Sequence, residues 1–115
     1  MAQFTVYQNK NKATLAAYPF LLNIQNNLLA SMQTCVVVPL TPLQTMAHPP
    51  MSKLTPILSV QGQDYCMITP QFAGIHKREL GAEIETLTAY QNDIIAAVDF
   101  LLSGVWCAQY HANLF

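Results

Sequence analysis

Ile57-Leu58-Ser59-Val60-Gln61-Gly62-Gln63-Asp64-Tyr65-Cys66-Met67-Ile68-Thr69 decides the fold class. Two apolar runs, 57–60 and 65–69, flank a polar link that contains one glycine. Glycine adopts positive φ without steric cost, so the stretch predicts two strands joined by a tight turn. Pro56 precedes the first run and Pro70 comes after the second. A residue without an N–H is tolerated at such strand ends.

The same reading extends outward. Cys35-Val36-Val37-Val38 is continuous and β-branched, which predicts a strand buried on both faces, closed by Pro39 and Pro42. Pro42, Pro49 and Pro50 leave room for one helical turn at 43–47, and His48 falls in loop. In Gln3-Phe4-Thr5-Val6-Tyr7, apolar Phe4 and Val6 alternate with their neighbours, the period of a half-buried strand. Residues 8–14 are polar and predict a hairpin loop. Residues 18–24 predict a strand with Pro19 near its start, broken by Gln25-Asn26-Asn27, and 28–33 a connector. Residues 72–80, with His76, Lys77 and Arg78, predict a further short strand.

The last third changes period. Ile84, Leu87, Ile94, Ile95, Val98, Leu101, Leu102 and Val105 recur mostly at three- and four-residue spacing. Thr88-Ala89-Tyr90-Gln91 has the pattern of a capping box, Asp93 suits a first turn, and Gly104 suits a stop. The spacing predicts a helix over 88–103. The chain therefore reads as one mainly β domain with a C-terminal helix.

Of the 115 residues, 52% are hydrophobic and only 10% charged, with a net charge of -1. An average domain carries about 25% charged residues. A disordered chain is excluded, because it needs low hydrophobicity and high charge. Five Lys/Arg are too few for a sequence-independent nucleic-acid groove, so no direct nucleic-acid binding is expected. So neutral a surface suggests cover by another chain. The apolar stripe at the end of the helix, around Leu101, Leu102 and Val105, predicts a homodimer interface. Asp99 interrupts the longest apolar stretch, so no membrane span is expected. Met1-Ala2-Gln3-Phe4 lacks the start of a signal peptide, which predicts a cytoplasmic location.

No chemistry assembles from the residues. Cys35, Cys66 and Cys107 are widely spaced and form neither a disulfide framework nor a metal finger. His48, His76 and His111 lie in no catalytic motif. His76, Lys77 and Arg78 read as a solvated basic turn, and Glu79, Glu83 and Glu85 as solubilising charge. Gly62, Gly74, Gly81 and Gly104 are too scattered for a phosphate loop. The expectation is a protein without catalytic residues, metal or cofactor.

The order of segments resembles the CcdB family of toxins from bacterial toxin–antitoxin pairs. The resemblance is carried by Gln3-Phe4-Thr5-Val6-Tyr7, Asn23-Ile24-Gln25-Asn26-Asn27-Leu28-Leu29 and Val36-Val37-Val38-Pro39-Leu40. It continues through Leu54-Thr55-Pro56-Ile57-Leu58, Met67-Ile68-Thr69, and Gln91-Asn92-Asp93-Ile94-Ile95 on to Gly104-Val105. It implies a small SH3-like β-barrel with an additional small antiparallel sheet and one C-terminal α-helix. It also implies a homodimer, a CcdA-like antitoxin, and inhibition of DNA gyrase by binding its A subunit and trapping the cleaved-DNA complex. The alternative is a homodimeric interaction module of the same fold that no longer poisons gyrase. Carried over residue by residue, the gyrase-binding positions are Ser103, Gly104 and Val105, where the family usually has Trp-Gly-Ile. Gln3, Phe4, Tyr7, Asn26, Leu28, Leu29 and Asp99 join them. The resemblance divides the chain into a CcdB-like domain, 1–105, and a C-terminal extension, 106–115, that holds Trp106, Tyr110 and Phe115.

Overall fold

The computed structural model describes residues 2–47 and 49–104. His48, Val105 and the extension at 106–115 lie outside the described residues. Seven strands, β1 (Thr5–Asn9), β2 (Phe20–Asn23), β3 (Thr34–Pro42), β4 (Ile57–Val60), β5 (Gln63–Met67), β6 (Ala73–His76) and β7 (Leu80–Thr86), precede one helix, α1 (Gln91–Leu102). All neighbouring strands are antiparallel, in the order β4-β5-β3-β2-β1-β7, with β6 also on β3. The chain is thus mainly β, a curled half-barrel with one C-terminal helix.

The hairpin of β4 and β5 forms as expected. Its two linking residues, Gln61 and Gly62, have φ of 52 and 78, the positive pair that a tight two-residue β turn requires. β3 is longer than predicted and runs through Pro39. Its first half pairs with β6 and its last residues with β5, along one edge. Pro39 sits at that fork. Its carbonyl accepts from the Ile68 N–H at 3.0 Å, and its missing N–H falls where β5 has ended. A central strand therefore carries a proline at the one register that loses least.

Alternation along β3 divides the core in two. Val38 and Leu40 join Val6, Leu22, Leu58, Val60 and Met67 in the main cluster. Cys35 and Val37 face the other way, with Tyr7 and Leu80. Burial on both faces is thus realised at Cys35, Val37 and Val38, while Val36 is half-buried. The outer edges of the half-barrel, β4 and β7, are bridged by side chains. The Ser59 N–H donates to the Tyr90 hydroxyl at 3.3 Å, and the Gln61 N–H donates to the Glu85 carboxylate.

The apolar stripe misleads at its start. Ile84 belongs to β7, and Thr88–Tyr90 forms a 3-10 turn with no side-chain cap, so α1 begins at Gln91. Tyr90 is engaged by β4, which fixes the approach to the helix without a capping box. A capping box forms instead around residues 76–79. The His76 ring accepts from the Arg78 N–H at 3.2 Å, and the Glu79 carboxylate accepts from the His76 N–H at 3.2 Å. That turn ends the strand predicted at 72–80 at His76, and β7, which the sequence reading did not predict, starts at Leu80.

Candidate functional site

Two elements converge at the end of α1. The first is the loop after β2. Gln25 clamps it: its amide donates to the carbonyls of Leu29 and Thr34, and its oxygen accepts from the Val36 N–H. The Asn26 side chain accepts from the Leu28 N–H at 2.7 Å, starting a 3-10 turn over Asn27–Leu29. The Gln3 N–H donates to the Asn27 side chain at 2.7 Å, and the Gln3 amide donates to the Ile24 carbonyl at 3.1 Å. With its backbone held this way, the turn projects Leu28, 88% exposed, and leaves Leu29 and Met32 half-exposed.

The second element is the last turn of α1. The Asp99 carbonyl accepts from the Ser103 N–H and hydroxyl, both at 2.8 Å, and from the Gly104 N–H at 3.4 Å. Gly104, with φ of 67, ends the helix. Leu102 points outward at 69% exposure, and Leu101 is half-buried. Leu101 and Leu102 line a small cavity with Ile24, Val36, Thr69 and Phe72. Ile24 is the residue from which the loop departs, so loop base and helix end adjoin.

The structure thus sorts the residues expected to bind gyrase. Leu28, Leu29, Asp99 and Ser103 are at the surface, and Gly104 closes the helix. Gln3 and Asn26 hold the loop. Phe4 and Tyr7 are core residues: Phe4 is 5% exposed and Tyr7 packs with Cys35 and Leu80. Their side chains are occupied by packing and present little to a partner. Phe4 has a positive φ of 67, fixed by its N–H donating to the Asn23 carbonyl and its carbonyl accepting from Leu87, both at 2.7 Å. Val105 is outside the described residues. The sequence reading missed Gln25, taken there only as a strand breaker. Its signal would have been a long amide side chain between two strand ends.

A larger concavity of ≈ 740 Å³ lies on the opposite face of the sheet, over Leu21, Val37 and Ile75, rimmed by Lys10, Tyr18 and Arg78. The Lys10 ammonium donates to the Arg78 carbonyl at 3.1 Å. No nucleophile is paired with a base in the described hydrogen bonds. Cys66 donates to the Thr55 carbonyl, Ser103 to the Asp99 carbonyl, and the His76 ring is spent on its own turn. Burial pushes the Cys35 and Cys66 thiols up from their usual range, which makes them poor nucleophiles. Among the described residues no group of three His, Cys, Asp or Glu could hold a metal, and no helix is long and apolar enough to cross a membrane.

Two solved structures share this fold. One is an endoribonuclease in complex with its cognate antitoxin from a mycobacterial species. It has a TM-score of 0.69 and 20% identity, over 89% of this chain and 94% of that one. The other is an endoribonuclease from a mycobacterial species, with a TM-score of 0.67 and 20% identity, over 92% of this chain and 94% of that one. At such identity the likeness is one of fold. The family model described as CcdB protein matches residues 3–104, which include all seven strands and α1. The chain belongs to the CcdB family.

Proposed function

We propose that the protein is the toxin of a toxin–antitoxin pair and inhibits DNA gyrase by binding its A subunit and trapping the cleaved-DNA complex. It works in the cytoplasm as a homodimer, has no catalytic residue or cofactor of its own, and is neutralised by a CcdA-like antitoxin. Family membership supports the toxin reading, and the antitoxin bound to one structural neighbour supports the partner. One observation carries the target surface: Ile24 at the base of the clamped loop lines one cavity with the helix end, and Leu28, Leu29 and Asp99 are exposed. Exposed apolar side chains on a held backbone lose little entropy on binding, as hot spots require. The twofold contact uses Leu101, Leu102 and Val105, since an isologous interface buries one apolar patch on both copies.

The groove on the other face favours a second reading, cleavage of RNA, as in the two endoribonucleases that share the fold. Lys10 and Arg78 suit a phosphate backbone, and Tyr18 suits a base. A gyrase supercoiling assay separates the readings. The expected result is accumulation of cleaved DNA when gyrase and the protein are both present. Leu28→Asp and Leu29→Asp should each weaken binding to the A subunit by about 2 kcal/mol, the scale of a hot spot. Fragmentation of RNA without gyrase would select the second reading. Neither activity would leave an interaction module of the same fold.

A further inference from the structure

Among the described residues only Phe4 and Gln61 adopt a positive φ without being glycine. Gln61 serves the β4–β5 hairpin. Phe4 is bulky, buried and stands just before β1. For such a residue the left-handed conformation is a true outlier. It persists only where the surroundings over-determine it, and residues of this kind gather at clamps and functional sites.

The surroundings of Phe4 join two elements. Its N–H donates to the carbonyl of Asn23, which ends β2 and leads into the Leu28 loop. Its carbonyl accepts from the N–H of Leu87, which precedes the 3-10 turn leading into α1. The Asn23 side chain is buried, and both of its polar atoms are used. Nδ2 donates to the Ala2 carbonyl at 3.0 Å, and Oδ1 accepts from the Gln25 N–H at 3.1 Å. Farther along the loop, Asn27 is exposed, yet its side-chain oxygen turns back to accept from the Gln3 N–H at 2.7 Å. The 3-10 turn over Asn27–Leu29 contains no buried residue. Packing therefore cannot fix the direction of Leu28, and hydrogen bonds must. Gln25 and Lys77 hold carbonyls on the far side of Leu28, at Leu29, Thr34 and Ala30. Asn27 supplies the tie on the near side.

We infer that residues 2–4 form a brace that sets the Leu28 turn, with Asn23 and Asn27 as its positioning residues. Asn23 fixes the course of the segment from the buried side. Asn27 locks the turn onto it from the exposed side. The strain at Phe4 is the cost of passing the backbone between the loop and the approach to α1. One consequence rests on the proposed function: with the brace released, the turn must be ordered during binding, which weakens affinity for the gyrase A subunit.

Backbone ¹⁵N order parameters of the full-length protein test the brace without gyrase. In the unaltered chain Leu28 and Leu29 should lie near the ~0.85 of rigid backbone, and in Asn27→Ala they should fall to ~0.6 or below. Asn27→Asp keeps the accepting oxygen and should restore the unaltered values. Asn23→Ala should loosen Gln3 and Leu28 together; if it fails to fold, the exposed Asn27 variants decide alone. Leu22 and Val38, in the sheet, should stay rigid in both Asn27 variants. Unchanged values in Asn27→Ala would overturn the brace. Equal loosening in Asn27→Asp would overturn it too, because the bond to Gln3 would not be what holds the turn. Calorimetry on the gyrase A subunit tests the consequence. Asn27→Ala should weaken binding on the order of tenfold, and should add nothing in a Leu28→Ala background, as residues acting through one another do. Additive losses would overturn the link from brace to recognition. A rigid Leu28 turn in a protein that binds no gyrase would refute the proposed function and leave the brace standing.

Discussion

Ile94 and Ala97, in the first half of α1, are closed off against the barrel, whereas Leu102, eight residues beyond Ile94, is largely exposed above a cavity. The same helix carries the same kind of side chain at both ends. The difference lies in what the sheet puts beneath. Ile94 shares one buried cluster with Val6, Leu22, Leu58 and Val60, from three strands. Under Leu102 the neighbours are Ile24, just beyond the end of β2, and Phe72, just before β6. Strand ends leave the helix tip unsupported, and an apolar tip without support is available to another surface. Stability is thus concentrated in the first half of the helix, and the tip is left for the contacts proposed above.

The sharpest way to break that contrast is to truncate both ends. Ile94→Ala should lower the free energy of unfolding by about 2–5 kcal/mol, the cost of a buried aliphatic and its cavity. Leu102→Ala should stay within about 0.5 kcal/mol, as exposed positions do. Urea denaturation of both variants measures this, and equal losses would erase the distinction. A backbone version of the test uses two glycines. A Cβ on Gly81 would lie 2.9 Å from the Gln8 Cβ and 3.1 Å from its carbonyl, whereas one on Gly74 meets nothing within 4 Å. Gly81 sits where the β1–β7 register shifts. Gly81→Ala should cost on the order of 1–3 kcal/mol, as overpacking does, and Gly74→Ala almost nothing.

The two ends also differed in how far the sequence revealed them. The barrel was legible because β-branched runs and turn residues state their own structure: 35–38 and the 57–69 hairpin need no distant partner to be read. The failures occur where tertiary contacts decide. Pro39 reads as a stop, and only the fork between β5 and β6 makes it compatible with a continuous β3. Ile84 joins the apolar stripe because its three-residue spacing to Leu87 has the helical period, although it precedes the helix expected at 88–103, and pairing of β7 with β1 makes it strand. In the candidate site, exposed Leu28 and Leu29 carried a readable signal, apolar residues in a loop. Phe4 and Tyr7 did not, because a half-buried strand pattern does not say how completely the opposite face is covered. Here β7 and the second core cluster cover Tyr7.

Alkaline titration tests the packed half alone. Burial pushes up the Tyr7 hydroxyl, with the charge of Glu83 adding to it, and burial pushes up the Cys35 and Cys66 thiols. In each case the protonated form is neutral and the folded state holds the proton more tightly. The stabilisation is therefore complete below the unfolded values, about 8.5 for a thiol and 10 for tyrosine. It is lost as pH rises through the raised ones. The urea midpoint should be level near neutrality and fall above roughly pH 9, and Tyr7→Phe should flatten the upper part of that fall. A midpoint unchanged to strong alkali would show that these groups are not held in the core.

The smallest effect separates the two ends of α1 most finely. Asp93 lies in the first turn, near the positive end of the helix dipole, while the last turn holds no basic residue and carries Asp99. Negative charge is favourable at the first position and unfavourable at the second, by about 0.3–1 kcal/mol each at low ionic strength. Asp93→Asn should therefore destabilise the protein and Asp99→Asn should stabilise it by a similar amount. Both effects should shrink with added salt, since exposed charges are screened. Asp99 thus carries a cost that no basic residue in the last turn offsets, which is the pattern of a residue placed for a partner. If so, Asp99→Asn should gain stability and lose affinity for the gyrase A subunit together, measured by denaturation and by calorimetry on one preparation. Gain of stability with unchanged affinity would remove Asp99 from the proposed recognition surface and leave Leu28 and Leu29 as its exposed apolar part.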